Sequence, residues 1–217
     1  MDKQTIEKAL AKVLEEKGSK KFTQTVDLII NLKDLDLKKN DQQLDIFVNL
    51  PHSKGKEAKI CGLVGPELVS ESEKNFDHTI EAHDFDALKS KPKEIKKLAE
   101  EYDYFVAQAT IMPQVATVFG RILGSRGKMP NPKAGCVVPP KAQLAPLAKR
   151  LRDTIRVSAK TSLVISVPVG NESMPVEEIV ENIDTVYKNV ISHTVQGLNN
   201  FKFASLKLTM GKLVRID

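Results

Sequence analysis

AKICGLV, residues 58–64, is the stretch on which the reading of this chain turns. It is an apolar run, as a strand buried on both faces requires. The segments before it look different. Val26, Leu28, Ile30 and Leu32 alternate with Asp27 and Asn31, and Leu44, Ile46, Val48 and Leu50 alternate in the same way. Alternation of period two marks strands with one wet face, so two strands of an antiparallel sheet are expected, on either side of the polar turn 33–43. Upstream of them, Ile6, Leu10, Val13 and Leu14 fall on one face of a helix that Gly18 can end as a left-handed cap.

Beyond residue 64 the chain follows a second pattern. Pro66 is placed to open a helix, and HTIEA from His78 reads as a short strand. Pro92 opens a helix within 88–102, YFVAQA from Tyr104 is another apolar run, and a helix covers 113–123. A further helix is expected around 143–155. Short apolar strands alternating with helices point to a parallel sheet covered on both faces, wound through right-handed crossovers. The last third returns to the first pattern. LVISVPV (163–169) reads as a strand, and FKFASLKLT from Phe201 and KLVRI from Lys212 as two more. Val176, Ile179, Val180, Ile183, Val186, Tyr187 and Val190 form an amphipathic helix. The expected fold is therefore an antiparallel α+β domain built from both chain ends (1–63 and 157–217), with a Rossmann-like, parallel-sheet α/β domain inserted at 64–156.

The 217 residues, 41% hydrophobic and 28% charged, are those of a globular protein, and no apolar run approaches the ~18 residues of a membrane span. Cys61 and Cys136 lie far apart, and the four histidines lack ligand spacing. Reduced thiols, a cytoplasmic location and no metal or other cofactor are the expectation. The net charge of +5 is unevenly spread: 64–103 holds six Lys against eleven acids, while 104–156 holds nine Lys/Arg against one acid. Such a basic block attracts polyanions unless the acidic half folds beside it.

Within that block lies GRILGSRGKMPNPKAG, residues 120–135, with four cations (Arg121, Arg126, Lys128, Lys133) and no acid. A P-loop fails here because Met129 follows Gly127-Lys128 where a hydroxyl must hold magnesium. The dinucleotide fingerprint fails because the glycines are misspaced and follow a helix. No nucleophile elbow or cysteine–histidine pairing is evident, so a nucleotide-dependent enzyme is the weaker alternative. What remains is a rigid basic loop, stiffened by Pro130 and Pro132. It either presents cations to a phosphate backbone or packs Met129 and caps neighbouring helices. A general polyanion binder is a third alternative. A second cluster, SKKFTQT (19–25) with LKLTMGK (206–212), combines cations, hydroxyls, Phe22 and Met210 at strand ends. Phe22 and Met210 are either core residues or surfaces on which bases stack.

These stretches also carry a resemblance. GRILGSRGKMPNPKAG, KFTQTVDL (21–28), LPHSKGK (50–56), VPVG (167–170) and LTMGK (208–212) occur in the order found in the large-subunit ribosomal protein "L-one" family, the lateral-stalk protein. The short chain is most similar to the archaeal branch. The resemblance implies a non-catalytic structural protein on large-subunit rRNA at the mobile stalk near the tRNA exit site. It also implies a part in release of deacylated tRNA, with exit-site tRNA as a contact, and repression of its own messenger RNA. It implies a monomer when off the ribosome. Carried over, the rRNA and mRNA surface comprises Lys21, Phe22, Thr25, Ser205, Lys207, Thr209, Met210 and Gly211. Arg121, Arg126, Lys128 and Lys133 then form a secondary basic surface. Where the family often has a serine followed by an aromatic residue or histidine, this chain has Phe203, Ala204 and Ser205.

Overall fold

In a computed structural model, residues 3–15 and 20–216 are described. The expected cap at Gly18 lies outside them, as does Ser19. The helix α1 (Lys3–Glu15) is followed by the strands β1 (Thr25–Leu32), β2 (Leu44–Asn49) and β3 (Ile60–Val64). Next come α2 (Val69–Asn75), β4 (His78–Glu81), α3 (Phe85–Lys89), α4 (Pro92–Glu101), β5 (Tyr104–Gln108) and α5 (Met112–Ser125). The chain continues through β6 (Val137–Val138), α6 (Leu144–Arg152), β7 (Thr154–Ala159), β8 (Val164–Asn171), α7 (Val176–His193), β9 (Phe201–Leu208) and β10 (Val214–Ile216).

The chain divides into two compact units, one of residues 1–57 with 153–217 and one of 58–152. In the two-ended unit a four-stranded antiparallel sheet has the order β10-β9-β1-β8, and β2 pairs with β7 as a separate ribbon. The two alternating strands therefore do not pair with each other. Both edges of β1 are taken by β8 and β9, from the far end of the chain. On β1 the burial alternates strictly: Val26, Leu28, Ile30 and Leu32 are buried, and the residues between them are half-exposed. Opposite residues of an antiparallel pair share a face. Leu28 thus joins Leu206 and Val167 on the buried face, where α1 and α7 bring Ile6, Leu10, Ile183 and Val186 into the same core. Asn182 of α7 is fully buried in this unit. It accepts a hydrogen bond from the His52 N–H (3.1 Å) and donates one to the Val169 carbonyl (2.8 Å), tying the 50–56 loop to β8.

In the other unit four parallel strands run in the order β4-β3-β5-β6. Helices α3, α4 and α5 pack together over a core that includes Leu63, Phe85, Ile95, Phe105 and Phe119, while α2 packs against α6. All five residues of β3 are buried, which is why ICGLV shows no alternation. Because Ile60 to Val64 pair with β4 and β5, the junction falls at 57/58, ahead of the expected 63/64.

Two expected helices change. Pro66 lies in a turn, and α2 begins only at Val69. The helix expected to reach Ile155 ends at Arg152. Beyond it, Thr154, Ile155 and Val157 enter β7, where β-branched side chains fit a half-buried pleat and pair with β2. Pro92 does open α4 at its first turn.

Candidate nucleic-acid interface

Where β1 begins and β9 ends, two threonines lock the strands together. The Thr209 N–H donates to the Thr25 carbonyl at 3.1 Å, and the Thr25 N–H donates to Thr209 Oγ1 at 3.1 Å. The same hydroxyl lies 3.4 Å from the Thr25 carbonyl oxygen, to which it donates. A hydroxyl has one proton and two acceptor positions. Thr209 Oγ1 therefore keeps one acceptor position open toward solvent. Gln24, buried beside it, takes the Met210 N–H on its Oε1 at 3.2 Å and reaches Glu172 at 3.4 Å. The Gly211 N–H closes the turn onto the Leu208 carbonyl at 2.9 Å. A Cβ at Gly211 would stand 3.1 Å from that of Leu208, a tight contact that would push the turn by a few tenths of an ångström.

This well-bonded edge carries side chains that the fold does not cover. Phe22 is 50% exposed and Met210 66%, and neighbouring Leu213 is 54% exposed. Lys20 and Lys21 are exposed beside them. Phe22 and Met210 are thus surface groups, and the reading of them as core residues fails. Gln24, which orders the Met210 backbone, was not singled out in the sequence, although it lies inside KFTQT.

From Thr209 the uncovered face of the sheet continues along β9 in steps of two residues. Lys207 lies opposite Asp27, Ser205 opposite Ile29, and Phe203 opposite Asn31. Partial burial holds the Asp27 carboxyl above its ordinary value, an effect that the Lys207 ammonium offsets only in part. Ser205 is fully buried on this face, so its hydroxyl is not presented to a ligand as expected, and its Oγ has no hydrogen-bond partner.

The expected secondary surface lies in the other unit, and the first six of the sixteen residues in its quoted stretch are helix. Gly120 to Ser125 complete α5, which ends in a Schellman motif: the Gly127 N–H bonds to the Gly124 carbonyl (3.0 Å) and the Lys128 N–H to that of Leu123 (2.9 Å). Gly127 supplies the positive φ this requires. Arg126 bonds to Glu100 at 2.7 Å, Lys128 Nζ caps the Tyr102 carbonyl at 2.7 Å, and Met129 packs on the core. The helix-capping reading of the loop is therefore realised for these three residues. Arg121 and Lys133 are exposed, and among the described residues neither side chain has a polar partner. Acids also temper the rest of the basic block: Asp77 lies 3.9 Å from Arg152, and Asp45 holds Arg156 at 2.8 Å.

A nucleotide site meets a geometric obstacle as well. In doubly wound sheets ligands sit where the strand order reverses, here beyond the ends of β3 and β5. The buried Gln108 side chain fills that crevice, with its Oε1 accepting from the Gly65 N–H at 2.9 Å. Among the described residues no group of three His, Cys, Asp or Glu side chains could hold a metal, and no helix is long and apolar enough to cross a membrane.

Comparison with known proteins adds the family. Residues 12–212 match the model of the Ribosomal protein L1p/L10e family. The chain belongs to this family. It is 42% identical over 209 residues to the large ribosomal subunit protein uL1 of Nanoarchaeum equitans, covering 94% of this chain and 96% of the relative. Its identity to the uL1 of Methanothermococcus thermolithotrophicus is 39% over 217 residues, all of both chains. With the uL1 of Thermococcus kodakarensis it is 34% over 217 residues, covering 100% of this chain and 98% of the relative. The archaeal-type resemblance read from the sequence is therefore correct.

Proposed function

We propose that this chain is a structural, non-catalytic protein of the cytoplasmic large ribosomal subunit that grips rRNA with the β1–β9 edge of its two-ended unit. The observation that carries the placement is the exposure of Phe22 and Met210 on either side of the Thr25–Thr209 lock. Burying apolar surface is the main drive to fold, so large apolar groups gathered on a rigid edge mark a binding surface. RNA suits this one. Phe22 offers a stacking face, Met210 an adaptable apolar contact, and Thr209 Oγ1 an acceptor for a ribose 2′-OH. Lys20, Lys21, Lys207 and Lys212 supply phosphate contacts along the rim.

The finer assignments follow from the family resemblance. They are placement at the mobile lateral stalk near the tRNA exit site, assistance in release of deacylated tRNA, and repression of the chain's own messenger RNA through a mimic of the rRNA site. One edge reading ribose hydroxyls and backbone shape would serve both RNAs. Arg121 and Lys133 on the inserted unit are the cations placed to meet tRNA.

Binding of the full chain to four RNAs over a salt series tests this. The probes are the stalk fragment of large-subunit rRNA, its scrambled counterpart, the leader of the chain's own messenger RNA, and deacylated tRNA. With three or four phosphate contacts, log affinity for the stalk fragment should fall with log salt at a slope of about 3. Scrambled RNA should bind at least ~100-fold more weakly. A steep slope with equal affinity for scrambled RNA would instead identify a general polyanion binder.

A further inference from the structure

We infer that Phe203 and Arg215 form a second base-stacking platform, which takes an unpaired nucleobase of the same RNA beyond the Thr209 edge. The inference rests on the proposed RNA site and extends it along β9. Phe203 stands on the open face of the sheet, half-exposed, six residues before Thr209 on the same strand. At ~3.3 Å per residue the two are separated by about 20 Å, the reach of several nucleotides. Arg215 of β10 lies directly opposite Ser205, which places its side chain on this face too. Its guanidinium carbon sits 4.7 Å from the centre of the Phe203 ring, and Lys202 Nζ lies 6.0 Å from the same centre.

A guanidinium resting on an aromatic ring is held in place, and Arg215 is exposed, so it also offers a surface to solvent. Bases stack on guanidinium planes as well as on aromatic rings, and RNA-binding proteins use both. Arg215 over Phe203 therefore supplies a stacking surface and a positive charge at one point, already ordered before the ligand arrives. The surroundings fit such a ligand. Lys202 beside the ring is exposed and adds a second positive charge for the adjoining phosphate. Lys207 lies between the platform and Thr209, where a phosphate linking the two subsites would pass. The helices α1 and α7 cover the opposite face, leaving this one half-exposed along β1.

The test measures affinity and salt slope for the stalk rRNA transcript with Phe203→Leu, Arg215→Lys, Arg215→Ala and the double variant Phe203→Leu/Arg215→Ala, each checked for an intact thermal transition. Phe203→Leu keeps an apolar group on the strand, and Arg215→Lys keeps the charge while losing the plane. Each should weaken binding about tenfold, the scale of one stacked base, with the salt slope unchanged. The double variant should lose little more than Arg215→Ala alone, because the two side chains act as one platform. Binding of Phe203→Leu and Arg215→Lys within twofold of the parent would overturn the inference. So would a loss confined to Arg215→Ala with a lowered slope, which describes a plain phosphate contact. Thr209→Val separates the two levels. If it weakens binding and the platform variants do not, only the platform falls. If all of them bind as the parent does, the RNA site itself is misplaced.

Discussion

Replacing Thr209 by valine keeps the volume and shape of the side chain while removing its hydroxyl, so the consequences can be worked through atom by atom. In the free protein two interactions are lost: the 3.1 Å bond from the Thr25 N–H and the 3.4 Å contact with the Thr25 carbonyl. Both lie at an exposed edge where water replaces the partner, and the 3.1 Å backbone bond between the same residues stays. The expected loss of stability is therefore about 0.5–1.5 kcal/mol, too little to unfold the domain. In the proposed complex the loss would differ in kind, because a ribose hydroxyl using the open acceptor position would be buried without a partner. That costs about 1–3 kcal/mol, or ~5- to 150-fold in affinity at 1.4 kcal/mol per decade. Fluorescence anisotropy with a labelled stalk rRNA fragment at fixed salt measures it, beside a thermal melt of each variant. Thr209→Ser restores the hydroxyl and should recover most of the affinity. The reasoning is refuted if the valine variant binds as tightly as the parent, or if the serine variant binds as weakly as the valine one.

Three further outcomes rest on contacts elsewhere in the two units. Asn182→Ala leaves the buried Val169 carbonyl unpaired and the part-buried His52 N–H without its partner, so denaturant unfolding should show a loss of about 1.5–4 kcal/mol. A loss under ~1 kcal/mol would mean that the bridge is dispensable. Asp27→Asn should raise stability at neutral pH, because a carboxyl held above its ordinary value favours the fold only when protonated. That advantage should shrink as pH falls through the raised value toward the ordinary 3.8. A less stable variant at pH 7 would show that attraction to Lys207 outweighs the burial. Cys61 and Cys136 are buried, with their thiols pushed up to about 12 and about 11, so iodoacetamide at pH 8 should leave both unmodified in the native protein. Mass spectrometry should find both alkylated after unfolding, and rapid alkylation of the native chain would contradict their burial.

Much of this architecture can be read from local pattern. The alternation of Val26 to Leu32 and the unbroken ICGLV differ because one strand has a wet face and the other has none, and a strand's own residues report that. Pairing is not local. Nothing in Leu44 to Leu50 says that its partner is Thr154 to Ala159, or that β1 is taken on both edges by strands from the far end of the chain. The end of α6 was lost for a similar reason, since TIRVSA becomes a strand only because β2 is there to receive it. At the candidate interface, sequence supplied the residues but not their exposure. A lone Phe22 or Met210 reads equally well as core, and only the folded edge separates the two cases. Composition misled most in 120–135, where four cations suggested an open basic surface. Arg126 is bonded to Glu100 and Lys128 to the Tyr102 carbonyl, both partners belonging to α4 or its cap, far away in sequence.

Backbone amide exchange of the full chain, with and without a saturating stalk rRNA fragment, tests the central claim most directly, because it reports every segment at once. RNA should slow exchange in 20–27 and in 205–215, with the largest change around Thr25 and Met210, and leave the helices α1 and α7 unaltered. Protection confined to 121–133 of the inserted unit, with the β1–β9 edge unchanged, would contradict the account.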